Sequence, residues 1–212
     1  MTSRHHPAPR LLARYAASAL ESAPALVLEA HLEVCPSCRG RVLALDETHA
    51  TDLEAMPPAV LSADALSQAL LRIDAAGREP SPAPTKSRIG DVELPRALAE
   101  TQFHARRWMT PGLWAAHLKK PRQDGWRTFL LCAPAHTTIP LHAHDGDELI
   151  SVLTGAYHDG QTYRAGDFAT NLTGSAHAMH VEGDEPCVCL IAIKGAMQWR
   201  GWSRAIGPIL GI

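Results

Sequence analysis

Apolar residues in the first third of the chain recur at helical intervals. Leu11, Leu12, Tyr15 and Ala19 form one set, Leu26, Val27, Ala30 and Val34 a second, Val42 and Leu45 a third, and Leu66, Leu70 and Ile73 a last. Steps of three and four put each set on one face of a helix. Gly40 is the only glycine between residues 10 and 76, so the region reads as several short helices. Ser22 and Ser62 are the predicted N-caps. Pro36 opens a helix at the position where its missing N–H costs least, and Pro57-Pro58 separates the last two helices.

From about Trp108 the pattern changes. Short β-prone runs, such as 128–132, 149–153 and 188–193, are set between Gly, Pro and Asp turns, as in a β-barrel or sandwich. Between the two textures lies GREPSPAPTKS, residues 77–87, which has nothing apolar larger than alanine and reads as a linker. The pattern predicts two domains. An all-α unit spans 1–77, a linker 78–90, an all-β unit 91–198, and a tail 199–212 packs on the barrel through Trp199, Ile206, Ile209, Leu210 and Ile212.

Charge narrows the function classes. A net charge of −2 offers no broad basic surface, so no direct nucleic-acid contact is expected. No apolar run approaches the roughly 20 residues of a membrane helix. The first ten residues, with His5, His6, Pro7 and Pro9, lack the apolar core of a signal peptide. Five cysteines, two of them in a Cys-x-x-Cys pair, suit a reducing compartment. The expected location is the cytoplasm, with no membrane partner.

The twelve histidines bring in candidate chemistry. His31, Cys35 and Cys38 stand as H-x3-C-x2-C. On a helix His31 and Cys35 lie one turn apart on one face, and Cys38 returns toward them from the first turn after Pro36. A closed zinc site needs four such ligands. His5 or His6, at the start of the preceding helix, can supply the fourth. The second set is H-x-H-x3-E-x6-G, made of His142, His144, Glu148 and Gly155. On a strand, His142 and His144 point to the same side. Glu148 opens the next strand after an Asp-Gly turn, and His177 follows the turns at Gly160 and Gly166-Asp167. Three imidazoles and a carboxylate aimed into a barrel make a divalent-metal site.

Both halves resemble one family. His-His near the N-terminus, Leu11-Leu12, Tyr15-Ala16-Ala17 and H-x3-C-x2-C look like the zinc-binding anti-sigma domain, most of all that of the ChrR-type anti-sigma factors, which join it to a cupin. The resemblance implies zinc on His6, His31, Cys35 and Cys38, with His6 favoured over His5. It implies a helical domain that clamps an extracytoplasmic-function sigma factor, one to one, and occludes its polymerase-binding surface. The second set matches the first cupin motif, implying a double-stranded β-helix (jelly-roll) barrel. Its metal would be zinc by resemblance, with iron, manganese or nickel as alternatives. Two departures touch turns rather than ligands: Ala165 replaces a proline before Gly166, and His136 stands where the family has glycine.

Cys187 and Cys189 share one face of a strand, with Cα atoms roughly 6.6 Å apart, near the limit of disulfide reach. They read as small core residues, as does Cys132. The resemblance includes this C-x-C and keeps a redox or signalling role open. It also implies singlet oxygen or organic hydroperoxides as the signal. Two alternatives remain. One is a cupin metalloenzyme, a dioxygenase or isomerase, with an N-terminal zinc docking module. The other is a switch in which oxidation of Cys35 and Cys38 ejects zinc.

Overall fold

The computed structural model describes residues 3–76, 87–119 and 124–199. The helices are α1 (Pro9–Ala16), α2 (Ser22–Val34), α3 (Pro36–Glu54) and α4 (Ala65–Ala76). A hairpin of β1 (Arg88–Ile89) and β2 (Val92–Glu93) and a 3-10 turn at Arg96–Leu98 lead into the barrel. The barrel strands are β3 (Arg107–Thr110), β4 (Leu113–His117), β5 (Trp126–Ala133), β6 (Thr138–His144), β7 (Glu148–Thr154), β8 (Ala156–Asp159), β9 (Gln161–Arg164), β10 (Phe168–Asn171), β11 (His177–Glu182), β12 (Cys187–Lys194) and β13 (Met197–Trp199).

They form a six-stranded sheet, β10-β7-β12-β5-β4-β3, and a five-stranded sheet, β13-β6-β11-β8-β9. The two pack face to face through Ile150, Ile191 and Phe129 from one and Tyr157, Met179 and Val181 from the other. This is the jelly-roll expected of a cupin.

The outer face of the larger sheet is not wet. All of β12 from Cys187 to Ile193 is buried. Cys187, Cys189, Ile191 and Ile193 enter the barrel interior. Val188, Leu190 and Ala192 join a second core with Leu12, Val27, Leu28 and Val42 of the helices. An antiparallel sheet with one solvated face alternates apolar and polar residues. The unbroken apolar run here marks burial on both faces, and α2 is the covering layer. Its Val27, Leu28, Ala30, His31 and Leu32 are all buried. The helical unit and the barrel therefore share one core, rather than meeting only through a linker.

Several local expectations are corrected. Ser22 is the first residue of α2 rather than its cap; Glu21 holds that position, with its carboxylate taken by Arg14 at 2.9 Å. Asp64 rather than Ser62 caps α4, its carbonyl accepting Gln68 N at 2.9 Å. Pro36 does open α3, and Cys35 is both the C-cap of α2 and the N-cap of α3. The linker positions 78–86 and the tail beyond Trp199 lie outside the described residues, while Arg88–Ile89 already pairs with Val92–Glu93.

Two motif departures have physical answers. His136 takes φ 61°, the left-handed conformation for which glycine is favoured. Ala165, standing where a proline was expected, has an N–H and donates it to Gly155 O at 3.0 Å.

Candidate metal centres

The α2–α3 junction and the N-terminal arm build the first centre. Cys35 sits in extended conformation between the two helices, so the chain reverses there and Cys38 returns one turn later. The donor atoms of His6, His31, Cys35 and Cys38 all lie within 4.8 Å of one another. His6 Nδ1 is 3.4 Å from both Cys35 Sγ and Cys38 Sγ, and His31 Nε2 is 3.4 Å from Cys38 Sγ. A tetrahedral zinc with bonds of roughly 2.3 Å to sulfur and 2.1 Å to nitrogen has S···N edges of about 3.6 Å, so the spacing fits the ion. His5 is not part of the set; its Nε2 lies 3.2 Å from Thr162 O.

Electrostatics agree with the fit. Burial lowers the His31 imidazole to about 4, keeping it neutral with a free lone pair. Burial and the adjacent Cys35 push the Cys38 thiol up to about 12. A bound cation is what would make thiolates of this pair.

The barrel supports this centre from behind. His31 Nδ1 lies 2.8 Å from Gly166 O, which orients Nε2 toward the sulfurs. The His31 ring also meets Phe168 edge-on at 5.5 Å. Asp167 Oδ1 accepts Arg4 N at 2.6 Å and His5 N at 3.1 Å.

The second centre lies inside the barrel. β6 brings His142 and His144, β7 brings Glu148, and β11 brings His177, all buried. His144 Nε2 is 2.9 Å from His177 Nε2, and Glu148 Oε2 lies 3.5 and 3.4 Å from these two nitrogens. Adjacent donors on an ion with bonds of roughly 2.1 Å stand about 3.0–3.4 Å apart, so this set also fits a divalent metal.

Burial opposes ionisation of Glu148, but His144, His177 and Asn171 hold its carboxyl below the ordinary range. Burial lowers His142 to about 4. Burial opposes charge on His177 as well, yet Asp159 and Glu148 raise it.

Sequence reasoning missed the residues behind these ligands. Asp159 Oδ2 takes His177 Nδ1 at 2.8 Å, Asn171 Nδ2 donates to Glu148 Oε2 at 2.8 Å, and Pro140 O takes His142 Nδ1 at 2.7 Å. Asp159 is the last residue of β8, just before Gly160, with no ligand spacing to betray it; only the β8–β11 pairing brings it to His177. Trp199, assigned to the tail, ends β13 with its ring 5.3 Å from His142.

Cys187 and Cys189 are free, buried thiols with sulfurs 3.7 Å apart. The β12–β7 register shifts between Val188 and Cys189. Cys132 is buried among the core residues that face the helices.

Comparison with known proteins accounts for both halves. The ChrR cupin-like domain matches residues 96–197, and a zinc-finger family matches residues 10–39. The anti-sigma-E factor ChrR of Cereibacter sphaeroides is 32% identical over 206 residues, 95% of either chain. The crystal structure of Rhodobacter sphaeroides SigE in complex with the anti-sigma ChrR matches at 31% identity with a TM-score of 0.74, covering 91% of this chain and 100% of that one. Among the described residues, no helix is long and apolar enough to cross a membrane. The zinc-finger match and the Cys2His2 cluster make the helical half a zinc domain. The chain belongs to the ChrR family of anti-sigma factors.

Proposed function

We propose that this chain is a cytoplasmic anti-sigma factor that sequesters an extracytoplasmic-function sigma factor, one to one, and releases it on an oxidative signal received by the cupin. His6, His31, Cys35 and Cys38 hold the structural zinc. His142, His144, Glu148 and His177 hold the cupin metal, zinc by family, with iron, manganese or nickel as alternatives. When bound, that ion would supply a Lewis-acidic centre.

The observation that carries the reading is α4. No residue of Ala65–Ala76 is buried, and Leu66, Leu70, Leu71 and Ile73 are 73%, 52%, 67% and 66% exposed. A helix with so much bare apolar surface is a partner's surface in waiting. ChrR, related along its whole length, was crystallised with its sigma factor SigE. Regulation, rather than cupin catalysis, is therefore the better-supported reading.

For release, Cys187 and Cys189 supply a two-electron reductant. A hydroperoxide ROOH would join the two sulfurs as a disulfide, with the thiol protons leaving in ROH and water. The existing register shift beside Cys189 lessens the distortion that an i, i+2 bridge demands. Histidines at the cupin centre are separate targets for singlet oxygen, whose two oxygen atoms add across the imidazole ring.

The test is co-expression with the genome's extracytoplasmic-function sigma factors, followed by purification with and without hydroperoxide. A stable 1:1 complex that dissociates only after oxidant supports the proposal. Failure to retain any such sigma factor overturns it. A complex indifferent to hydroperoxide and to singlet oxygen removes the oxidative arm alone.

A further inference from the structure

The arm that carries His6 is gripped by the barrel. Ser3 Oγ donates to Gly166 O at 2.9 Å, and Phe168 N donates to His5 O at 3.0 Å. The His5 ring lies 4.6 Å from Tyr163. Arg4 N and His5 N both donate to Asp167 Oδ1, and Arg164 N donates to Oδ2 at 2.9 Å. The arm thus crosses the turn before β10 and satisfies the Phe168 N–H that an edge strand leaves open.

Asp167 is 2% exposed. A buried carboxylate must be satisfied by donors, and two of its three backbone N–H partners come from the arm. His6 follows His5 directly, so this grip sets where His6 Nδ1 stands to within one residue of chain. The neighbouring Gly166 carbonyl holds His31. Both histidine ligands are therefore supported by one turn of the barrel, while both cysteines belong to the α2–α3 junction.

We infer that Asp167 is a positioning residue of the zinc centre: it holds the arm so that His6 reaches Cys35 and Cys38, making the centre a joint product of the two domains. This rests on the zinc ligand set proposed above. It has a reciprocal consequence, because coupling works in both directions: zinc ties the helical unit to the barrel, and loosening the turn at 166–167 weakens zinc.

The test uses the full chain stripped of metal and titrated with Co²⁺. Thiolate-to-cobalt charge transfer in the near ultraviolet reports the Cys35–Cys38 centre alone, because the cupin set holds no sulfur. Asp167→Ala is expected to weaken the cobalt binding seen in this band ten- to a hundredfold, as loss of outer-shell support does. His6→Ala loses at least as much, and the double variant loses no more than His6→Ala. Deletion of residues 2–5 leaves His6 and the whole barrel in place and shows the same loss, which covers the case of an Asp167→Ala chain that fails to fold. Asp167→Asn keeps an acceptor oxygen for the arm but sets its amide N–H₂ against the Arg164 N–H, and so recovers only part of the affinity.

Wild-type affinity in Asp167→Ala or in the deletion overturns the inference. So does an Asp167→Ala loss that persists undiminished on the His6→Ala background, since Asp167 would then act on general stability. A wild-type chain without the thiolate band sinks the zinc ligand set itself; a normal wild-type band with an indifferent Asp167→Ala sinks only this inference.

Discussion

Asn171 donates to Glu148 Oε2 at 2.8 Å, and the two residues are direct partners in the β10–β7 ladder. The strand that carries Asn171 begins at Phe168, whose ring rests against His31. One four-residue strand therefore lies between the zinc centre and the cupin centre. β10 therefore spans the space between the two centres, joined to Glu148 by a hydrogen bond from its last residue and to His31 by a ring contact from its first.

The groups behind the cupin ligands tune metal affinity. Asp159 fixes which nitrogen of His177 faces the ion and raises its basicity. Asp159→Asn is expected to weaken metal binding at the cupin centre by about ten- to a hundredfold while leaving the thiolate centre untouched. Parallel titration of the two centres, one read by the cobalt–thiolate band and the other by metal stoichiometry, checks it. Equal loss at both centres would point to general unfolding instead.

The proposed partner surface is a helix with no buried residue. Leu70→Asp with Ile73→Asp is expected to abolish sigma-factor retention, yet move Tm by no more than about 4 °C, because each exposed substitution stays within roughly 0.5 kcal/mol. Thermal melts beside a pull-down separate the two effects. A large fall in Tm would show that α4 packs on the protein itself.

Zinc removal destabilises the chain. Three buried donors and the half-buried His6 lose their ion, which leaves two imidazoles facing two thiols. EDTA is expected to lower Tm by about 6 °C or more, taking a loss above roughly 3 kcal/mol and 2–4 °C per kcal/mol for this size. Cys38→Ser should lower the untreated Tm and blunt the EDTA response, measured by calorimetry.

Acid acts on the metal-free chain through His31 and His142. Burial holds both near 4 in the folded chain, against 6.5 unfolded. Between those values the unfolded chain takes up protons that the folded chain refuses, so stability is full above 6.5 and falls toward pH 4. The loss reaches up to about 3 kcal/mol for each. His177 runs the other way: its folded pKa is raised, so its contribution is present below 6.5 and fades as pH rises through that raised value. Urea midpoints should hold from pH 7.5 to about 6.5 and fall from there to 4.5; a flat profile below 6.5 would contradict the assignment.

Gly155 closes the β7–β8 turn at φ 70°. A Cβ there would stand 2.6 Å from Pro186 O and 2.8 Å from Cys187 Cα. Backbone cannot yield cheaply at that distance, so Gly155→Ala is expected to cost about 2–3 kcal/mol. Gly160, also at positive φ but with open space around it, should cost only about 1 kcal/mol. Denaturant melts of the two variants side by side test the contrast.

By itself the sequence determined what short-range rules govern. Helical spacing placed His31 over Cys35, and Pro36 marked where the chain turns back to Cys38. Strand alternation put His142 and His144 on one side. Each candidate donor set was legible because most of its members sit within a few residues of one another, or match a family motif. What the sequence left open was decided by long-range packing. His6 prevailed over His5 because the barrel takes His5 for itself, through Thr162, Tyr163 and Asp167. Asp159, Asn171 and Gly166 reach their histidines and glutamate only through strand pairing and the docking of α2, contacts across 18, 23 and 135 residues of chain. No local pattern encodes such contacts, because only burial against a distant surface selects them.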